Sequence, residues 1–319
     1  MTAVRPEAPR DAGRRPSDPA ARTAGPTGPT EPAGTAAARA PRTRGVVGRR
    51  VSTTLTYLSL VVASLVTLLP LVVIVMASFK SREEFQTTGP FELPQSWTLD
   101  NYVTAFTGGR MALGFLNTML ILAVSVAGAV VIGAMTAYAI DRFEFRGRRL
   151  VLGLFLVAVL VPGVTTQVAT FQIINGLGVY NSLWAPILLF LSTDIVSIYI
   201  FLQFVRSIPR ELDEAAMLEG ANRLTIFWRI IFPLLKPAIA TVVIIKGFAV
   251  YNDFYIPFLY MPSRDLPVLS TSLFRFTGPF GSQWEVIAAG VIIVILPTLV
   301  IFLALQRYIY NGFTSGATK

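Results

Sequence analysis

Six apolar segments of membrane-spanning length, separated by short charged stretches, predict an all-α integral membrane protein. Two further observations agree. Of the 319 residues 53% are hydrophobic and only 14% charged, too apolar a balance for a soluble protein of this size. The Lys and Arg residues alternate between rich and poor loops, as expected when the chain crosses a bilayer repeatedly. Histidine and cysteine are both absent, which excludes disulfides, Cys/His metal sites, haem ligation by histidine and any triad that needs histidine.

Residues 1–50 are rich in Ala, Pro, Arg, Gly and Thr without apolar periodicity, and read as a disordered tail. The prolines and the acids Glu7, Asp11, Asp18 and Glu31 argue against an amphipathic targeting helix, leaving a solvated cationic tail near anionic lipid head groups. At about 20 residues per crossing, the spans fall at about 51–78, 115–140, 150–174, 183–204, 238–260 and 284–305. Pro70, Pro162, Pro186, Pro257 and Pro297 are expected to interrupt five of them, which a bilayer tolerates only where neighbours or a water-filled cavity satisfy the freed backbone groups. Ala129, Gly133 and Ala137 repeat every four residues and predict a close helix–helix contact along the second span. Ten arginines lie in the tail, four between Asp141 and Arg149 and five basic residues from Arg206 to Lys236, against five in the two long opposite loops together. Both termini and the loop at 207–237 are therefore expected on the cytoplasmic side of the membrane.

That loop reads as two short helices with a hinge. Ser207 can cap an N-terminus, Pro209 suits a first turn, and Glu211, Asp213 and Glu214 favour the positive end of a helix dipole. Leu212, Ala215, Ala216 and Glu219 share one face, Gly220 ends the helix, and a second helix near Leu224–Phe232 is expected to stop at Pro233 and Pro237. Neither is long enough to be stable alone in water, so the pair must dock on something.

Glu214-Ala215-Ala216, Gly220 after three residues, then Ile230 and Pro233, resembles the EAA loop of permease subunits in binding-protein-dependent ABC importers. Glu219 stands where many family members carry Asp. The resemblance extends over roughly residues 54–319. Trp97-Thr98-Leu99-Asp100-Asn101-Tyr102 and Phe115-Leu116-Asn117-Thr118 look like the first outer loop and second span of sugar importers, and the end from Gln306 to Lys319 resembles the tail of the maltose-type second permease, with Asn311 replacing its usual Arg. The family implies a type I ABC importer permease fold with cytoplasmic coupling helices, in which Glu214, Ala215, Ala216, Gly220, Ile230 and Pro233 contact the ATPase. It also implies a sister permease, two copies of an ATP-binding subunit and an extracytoplasmic sugar-binding protein. No Gly-x-x-x-x-Gly-Lys-Ser/Thr stretch is present, so ATP hydrolysis is expected on a partner and the chain itself is not expected to be an enzyme. No cofactor, metal or nucleic-acid partner is expected.

Candidate substrate-pathway residues are the polar and aromatic groups at membrane depth: Tyr251, Asn252, Asp253 and Tyr255 in the fifth span and Asp194 in the fourth. An aromatic-plus-amide lining suits sugars, although Asp253 and Tyr255 equally suit the outer membrane interface. The competing reading is an ion- or proton-coupled secondary transporter using Asp194, Lys246 and Asp253, but the internal repeat common in such folds is not evident.

Overall fold

The computed structural model describes residues 46–191, 195–279 and 281–317, with side chains from 53 to 304 within those ranges. The expected tail at 1–50 lies outside the described residues up to position 45; helix begins at Val46, five residues before the expected first span. The chain forms two units, 1–58 and 59–319; α1 begins in the first, and every contact described below lies within the second.

Among the described residues the chain is helical, with no strand. The long helix α1 (Val46–Phe79) leads to α2 (Arg82–Thr87) and α3 (Asp100–Gly108) in the first long loop, then to α4 (Met111–Arg142). Next come α5 (Arg148–Leu160), α6 (Gln167–Gly176), α7 (Trp184–Leu191) and α8 (Ile195–Ser207). The predicted hinge region holds α9 (Glu211–Leu218), α10 (Arg223–Ile226), a π turn at Phe227–Ile231 and α11 (Phe232–Leu234). The rest is α12 (Lys236–Asn252), α13 (Tyr255–Tyr260), α14 (Leu269–Ser272), a 3-10 turn at Leu273–Phe276 and α15 (Trp284–Ala317).

Thr53–Phe79, Met111–Arg142 and Trp284–Ala304 are each long and apolar enough to cross a bilayer. Two bent pairs, α7 with α8 and Arg223–Leu234 with α12, could each make one further crossing, the second pair turning by 74° at Leu235. The expected third span, 150–174, is not one helix: the chain leaves α5 at Val161 and resumes at Gln167, with Pro162 in the gap. The other prolines act differently from expectation. Pro70 and Pro297 remain inside continuous helices, while Pro186 and Pro257 lie in the first turns of α7 and α13, where a missing N–H costs nothing.

The small-residue stripe packs as predicted. Ala129, Gly133 and Ala137 are buried, and α4 lies so close to α8 that a Cβ at Gly133 would meet the Phe201 ring at 3.1 Å. Phe201, Leu202 and Val205 of α8 join Val130, Ala134 and Tyr138 of α4, Phe227 and Ile231 of the π turn, and Val242 of α12 in one core. In lipid such a contact is held by van der Waals packing and close backbone approach, which is why small residues recur there.

At the opposite end of α4, side-chain amides and hydroxyls fasten the long loops. Asn117 Nδ2 donates to the Pro267 carbonyl at 2.8 Å, and Thr118 Oγ1 accepts from the Leu269 N–H at 3.0 Å. Asn101 Nδ2 donates to the carbonyls of Ser78 and Lys80 at 2.9 and 2.8 Å, satisfying acceptors left over at the end of α1. Trp97 packs on Phe79 at 5.1 Å between ring centres. Glu84 accepts from the Gln95 N–H and the Ser96 hydroxyl, and the Gln95 bond chiefly holds its carboxyl below the usual carboxylate range.

Candidate functional site

Three acids crowd the first turn of α9, and one of them turns inward. Asp213 is 2% exposed, while Glu211 and Glu214 remain in solvent. Its Oδ2 lies 3.0 Å from Arg142 Nε, a charge contact without hydrogen-bond alignment, and Tyr138 donates its hydroxyl to Oδ1 at 3.1 Å. Arg142 ends α4 and bonds again through Nη1 to Asp141 Oδ2 at 2.9 Å and through Nη2 to the Ile208 carbonyl at 2.8 Å. Asp141 also receives Arg148 at 3.4 Å, Arg206 at 3.7 Å and Arg210 at 3.8 Å. One buried carboxylate thus gathers the end of α4, the start of α5, the end of α8 and the approach to α9.

The inward stripe of α9 is Asp213, Ala216 and Met217, not the predicted Leu212, Ala215, Ala216 and Glu219. Apolar periodicity pointed about one position away because the decisive inward residue is charged and is buried by pairing. Ser207, expected to cap this helix, instead bonds back to Phe204 at the end of α8.

Gly220 ends α9 as expected, at φ +86°. The Gly220 N–H donates to Met217 O at 3.0 Å and the Ala221 N–H to Ala216 O at 2.9 Å, the paired bonds of a Schellman cap. Asn222 then caps the next helix, its Oδ1 accepting from Thr225 N–H at 2.8 Å. Pro233 does not stop that helix. The preceding turn widens to π geometry, with Phe232 N–H bonded to Phe227 O, and so relieves the crowding a proline imposes on the turn before it; the chain bends only at Leu235. Pro237 begins α12 rather than ending anything.

The predicted coupling residues therefore divide. Ala216 is buried and Ile230 half-buried against the core, Gly220 forms the turn, and Pro233, Glu214 and Ala215 are exposed. Around Ala215 the surface is unusually apolar for an end carrying so many charges. Leu218 is 90% exposed, and Leu212, Leu224 and Trp228 are exposed as well. Beside it Arg142, Arg210, Glu144 and Glu214 line a polar hollow of about 350 Å³.

The candidate pathway residues do not converge. Tyr251 donates its hydroxyl to Val294 O of α15 at 2.9 Å and edges an apolar cavity of about 150 Å³ with Leu122, Gly247 and Thr298. Asn252 is exposed and its amide bonds to Phe248 O in its own helix. Asp253 Oδ1 accepts from Ile256 N–H at 2.8 Å, starting α13, while its carbonyl accepts from Ser270 Oγ at 3.0 Å. Tyr255 is exposed, and Asp194 lies outside the described residues.

An all-helical fold with three helices long and apolar enough to cross a bilayer, and α9 clamped by an ion pair to the end of one of them, is that of an integral membrane protein. Residues 129–314 match the family of binding-protein-dependent transport system inner membrane components. Similar proteins include the galactooligosaccharides transport system permease protein GanQ of Bacillus subtilis (strain 168), 32% identical over 86% of this chain and 98% of that protein. The melibiose/raffinose/stachyose import permease protein MelC of the same strain is 29% identical over 79% and 91%. The fold resembles a chain in a solved bacterial ABC transporter that imports the polysaccharide alginate, with a TM-score of 0.70 and 20% identity over 81% of this chain and 96% of that one. The chain belongs to the family of binding-protein-dependent transport system inner membrane components, and is a permease subunit of an ABC importer rather than its ATPase. The secondary-transporter alternative has no support in this membership, and Asp253, one of its three residues, serves as a helix cap.

Proposed function

We propose that this permease carries an oligosaccharide across a bacterial cytoplasmic membrane, forming half of the pathway beside a sister permease. Two copies of an ATP-binding subunit would drive it and an extracytoplasmic binding protein would deliver the sugar. The names of GanQ and MelC support the substrate class. In this reading six crossings place both termini in the cytoplasm, with α5 and α6 together making a broken third span. The arginines gathered around Asp141 and α9 favour that side.

The observation that carries the coupling role is the exposed Glu214–Ala215–Leu218 face of α9, set on a base of buried ion pairs. The face is free to take a partner while the base holds the helix to α4 and α8, so motion of an ATPase would pass into the spans as a rigid displacement. Gly220 tests this. A Cβ there would meet nothing within 4 Å, so Gly220→Val acts only through backbone strain, about 1–3 kcal/mol. Uptake and ATPase association should fall, Gly220→Asn should retain more of both, and membrane insertion should be unchanged. Wild-type association with Gly220→Val would remove this element from the coupling path.

For the pathway we assign Tyr251 and Asn252 at the outer end of α12 and Asp253 and Tyr255 where the chain enters α13, with Asp194 as a further candidate. Asn252→Ala frees a carbonyl that belongs to an intact helix and exposes nothing buried, so a fall in uptake would come from lost substrate contact. Asp253→Ala removes a cap worth about 0.5–2 kcal/mol, and Asp253→Asn, which keeps the acceptor, should restore folding. Cysteines at 252 and 253 should be protected from a thiol reagent by substrate. Equal labelling with and without sugar, together with normal uptake in Asn252→Ala, would leave this segment purely structural.

A further inference from the structure

Along α5 and α8 runs a groove of about 600 Å³ that the helix core does not fill. Leu156 and Val159 line it from α5, and Ile195, Val196, Tyr199 and Ile200 from α8. Leu156, Val159 and Val196 are more than half exposed, and α5 has no fully buried residue at all. The Tyr199 hydroxyl is turned to the Leu152 carbonyl at 3.4 Å, so the groove wall is mostly hydrocarbon, and its polar side chains, Gln203 and Arg206, lie together toward the end of α8.

That end is polar, with Gln203 one turn before Arg206. Ile195 and Arg206 are eleven residues apart on one helix, about 16 Å along its axis, close to half of a hydrocarbon core about 30 Å thick. The groove therefore has the depth of one leaflet and a cation at its mouth. Arg206 is 53% exposed in its side chain and only 3.7 Å from Asp141, a carboxylate it shares with Arg142, Arg148 and Arg210. Among the described residues of this cluster, four guanidiniums face two carboxylates, Asp141 and Asp213. Glu144 and Glu214 line a different hollow, shared with Arg142, Arg210 and Arg223. The groove mouth is left with a surplus of positive charge and a solvent-facing guanidinium.

We propose that the groove holds one anionic phospholipid of the cytoplasmic leaflet, an acyl chain lying between α5 and α8 and its phosphate on Arg206. Guanidinium and phosphate match in charge and in the geometry of paired N–H···O bonds, and basic pockets at the cytoplasmic ends of membrane helices suit acidic head groups. An anion at this point also relieves the mutual repulsion of the arginines crowded on one carboxylate. Bound there, the lipid would fill the space between α5 and its neighbour, to which it is otherwise attached mainly through Val151, Leu152 and Phe155. The leaflet assignment rests on the orientation proposed above.

The test uses the full-length chain assembled with its partner subunits, reconstituted in vesicles of equal phosphatidylethanolamine and phosphatidylglycerol and released gently for native mass spectrometry. The wild-type complex should retain one more phosphatidylglycerol than Arg206→Gln, with retention falling at least fivefold in the variant. Val196→Trp, which fills the groove and leaves the arginine in place, should lose it equally. Retention of both lipids without preference, or unchanged retention in the two variants, overturns the proposal. So does a cross-link from Val196→Cys to the sister permease, which would make the groove a protein interface. Orientation is read separately: Glu144→Cys should react with a membrane-impermeant maleimide only from the inner face. Reaction from outside would overturn the leaflet assignment while the lipid count still judges the groove.

Discussion

Asp213→Ala is expected to abolish uptake and to loosen the end of the protein where α9 meets α4 and α8. Its removal leaves the Arg142 guanidinium, 3% exposed in its side chain, with Asp141 as its one carboxylate among the described residues, besides the Ile208 carbonyl, and leaves the Tyr138 hydroxyl without its acceptor. Breaking a buried pair from one side costs about 3–5 kcal/mol, because the remaining charge stays buried. That is comparable to a large share of a domain's total stability. Asp213→Asn should fare better than Ala, since it keeps an acceptor for Tyr138, but worse than wild type. Removing both charges, with Arg142→Met and Asp213→Leu together, should recover part of the thermal stability, because apolar replacements of a whole pair are often neutral. The coupled measurement is thermal unfolding of the detergent-solubilised protein beside sugar uptake in cells. Wild-type values for Asp213→Ala in both would show that α9 is held by its apolar contacts alone.

What could be read from the sequence was the part governed by periodicity and by single-residue backbone rules. The first, second and sixth span positions followed from apolar length, the α4–α8 contact from a stripe of small residues, and the Gly220 turn from a glycine in a short helix pair. The missed part lies where long-range pairing decides. Asp213 looked like one of three dipole-favouring acids, and nothing local marks it as the one that meets Arg142 from α4. The arginines at 142–149 were legible only as a count that orients the chain, whereas Arg142 and Arg148 converge with Arg206 and Arg210 on Asp141. Prolines misled for a related reason. A proline breaks a helix or starts one according to which backbone donors its neighbours leave unused, and at Pro186, Pro257 and Pro237 the helix begins at or just before the ring. Pro233 escaped detection as a helix-interior residue because a π turn upstream cannot be inferred from composition. Asn101, Asn117 and Thr118 stood out by family resemblance, and the structure supplies their physical reason: each closes a backbone bond between segments far apart in sequence.

The two adjacent alanines of the Glu214-Ala215-Ala216 stretch should give opposite failures. Ala215 is exposed on the face proposed for the ATPase, whereas Ala216 is 6% exposed and packs in the core formed by α4, α8 and the π turn. Ala215→Arg puts a long cation into solvent, so folding and insertion should be unchanged, within about 0.5 kcal/mol for an exposed site. At an interface the same side chain must be desolvated or must displace the partner, and uptake should fall at least tenfold with loss of co-purifying ATPase. Ala216→Leu has no such access to the partner. Its extra methylenes press into a filled core at a cost of about 1–3 kcal/mol, so thermal stability should fall first and uptake only in proportion to the protein lost. The measurement is uptake per inserted molecule, ATPase retained on purification, and thermal midpoint for each variant. If Ala215→Arg retains the ATPase and transports normally while Ala216→Leu alone fails, the segment is a structural bracket for α4 and the docking surface lies elsewhere.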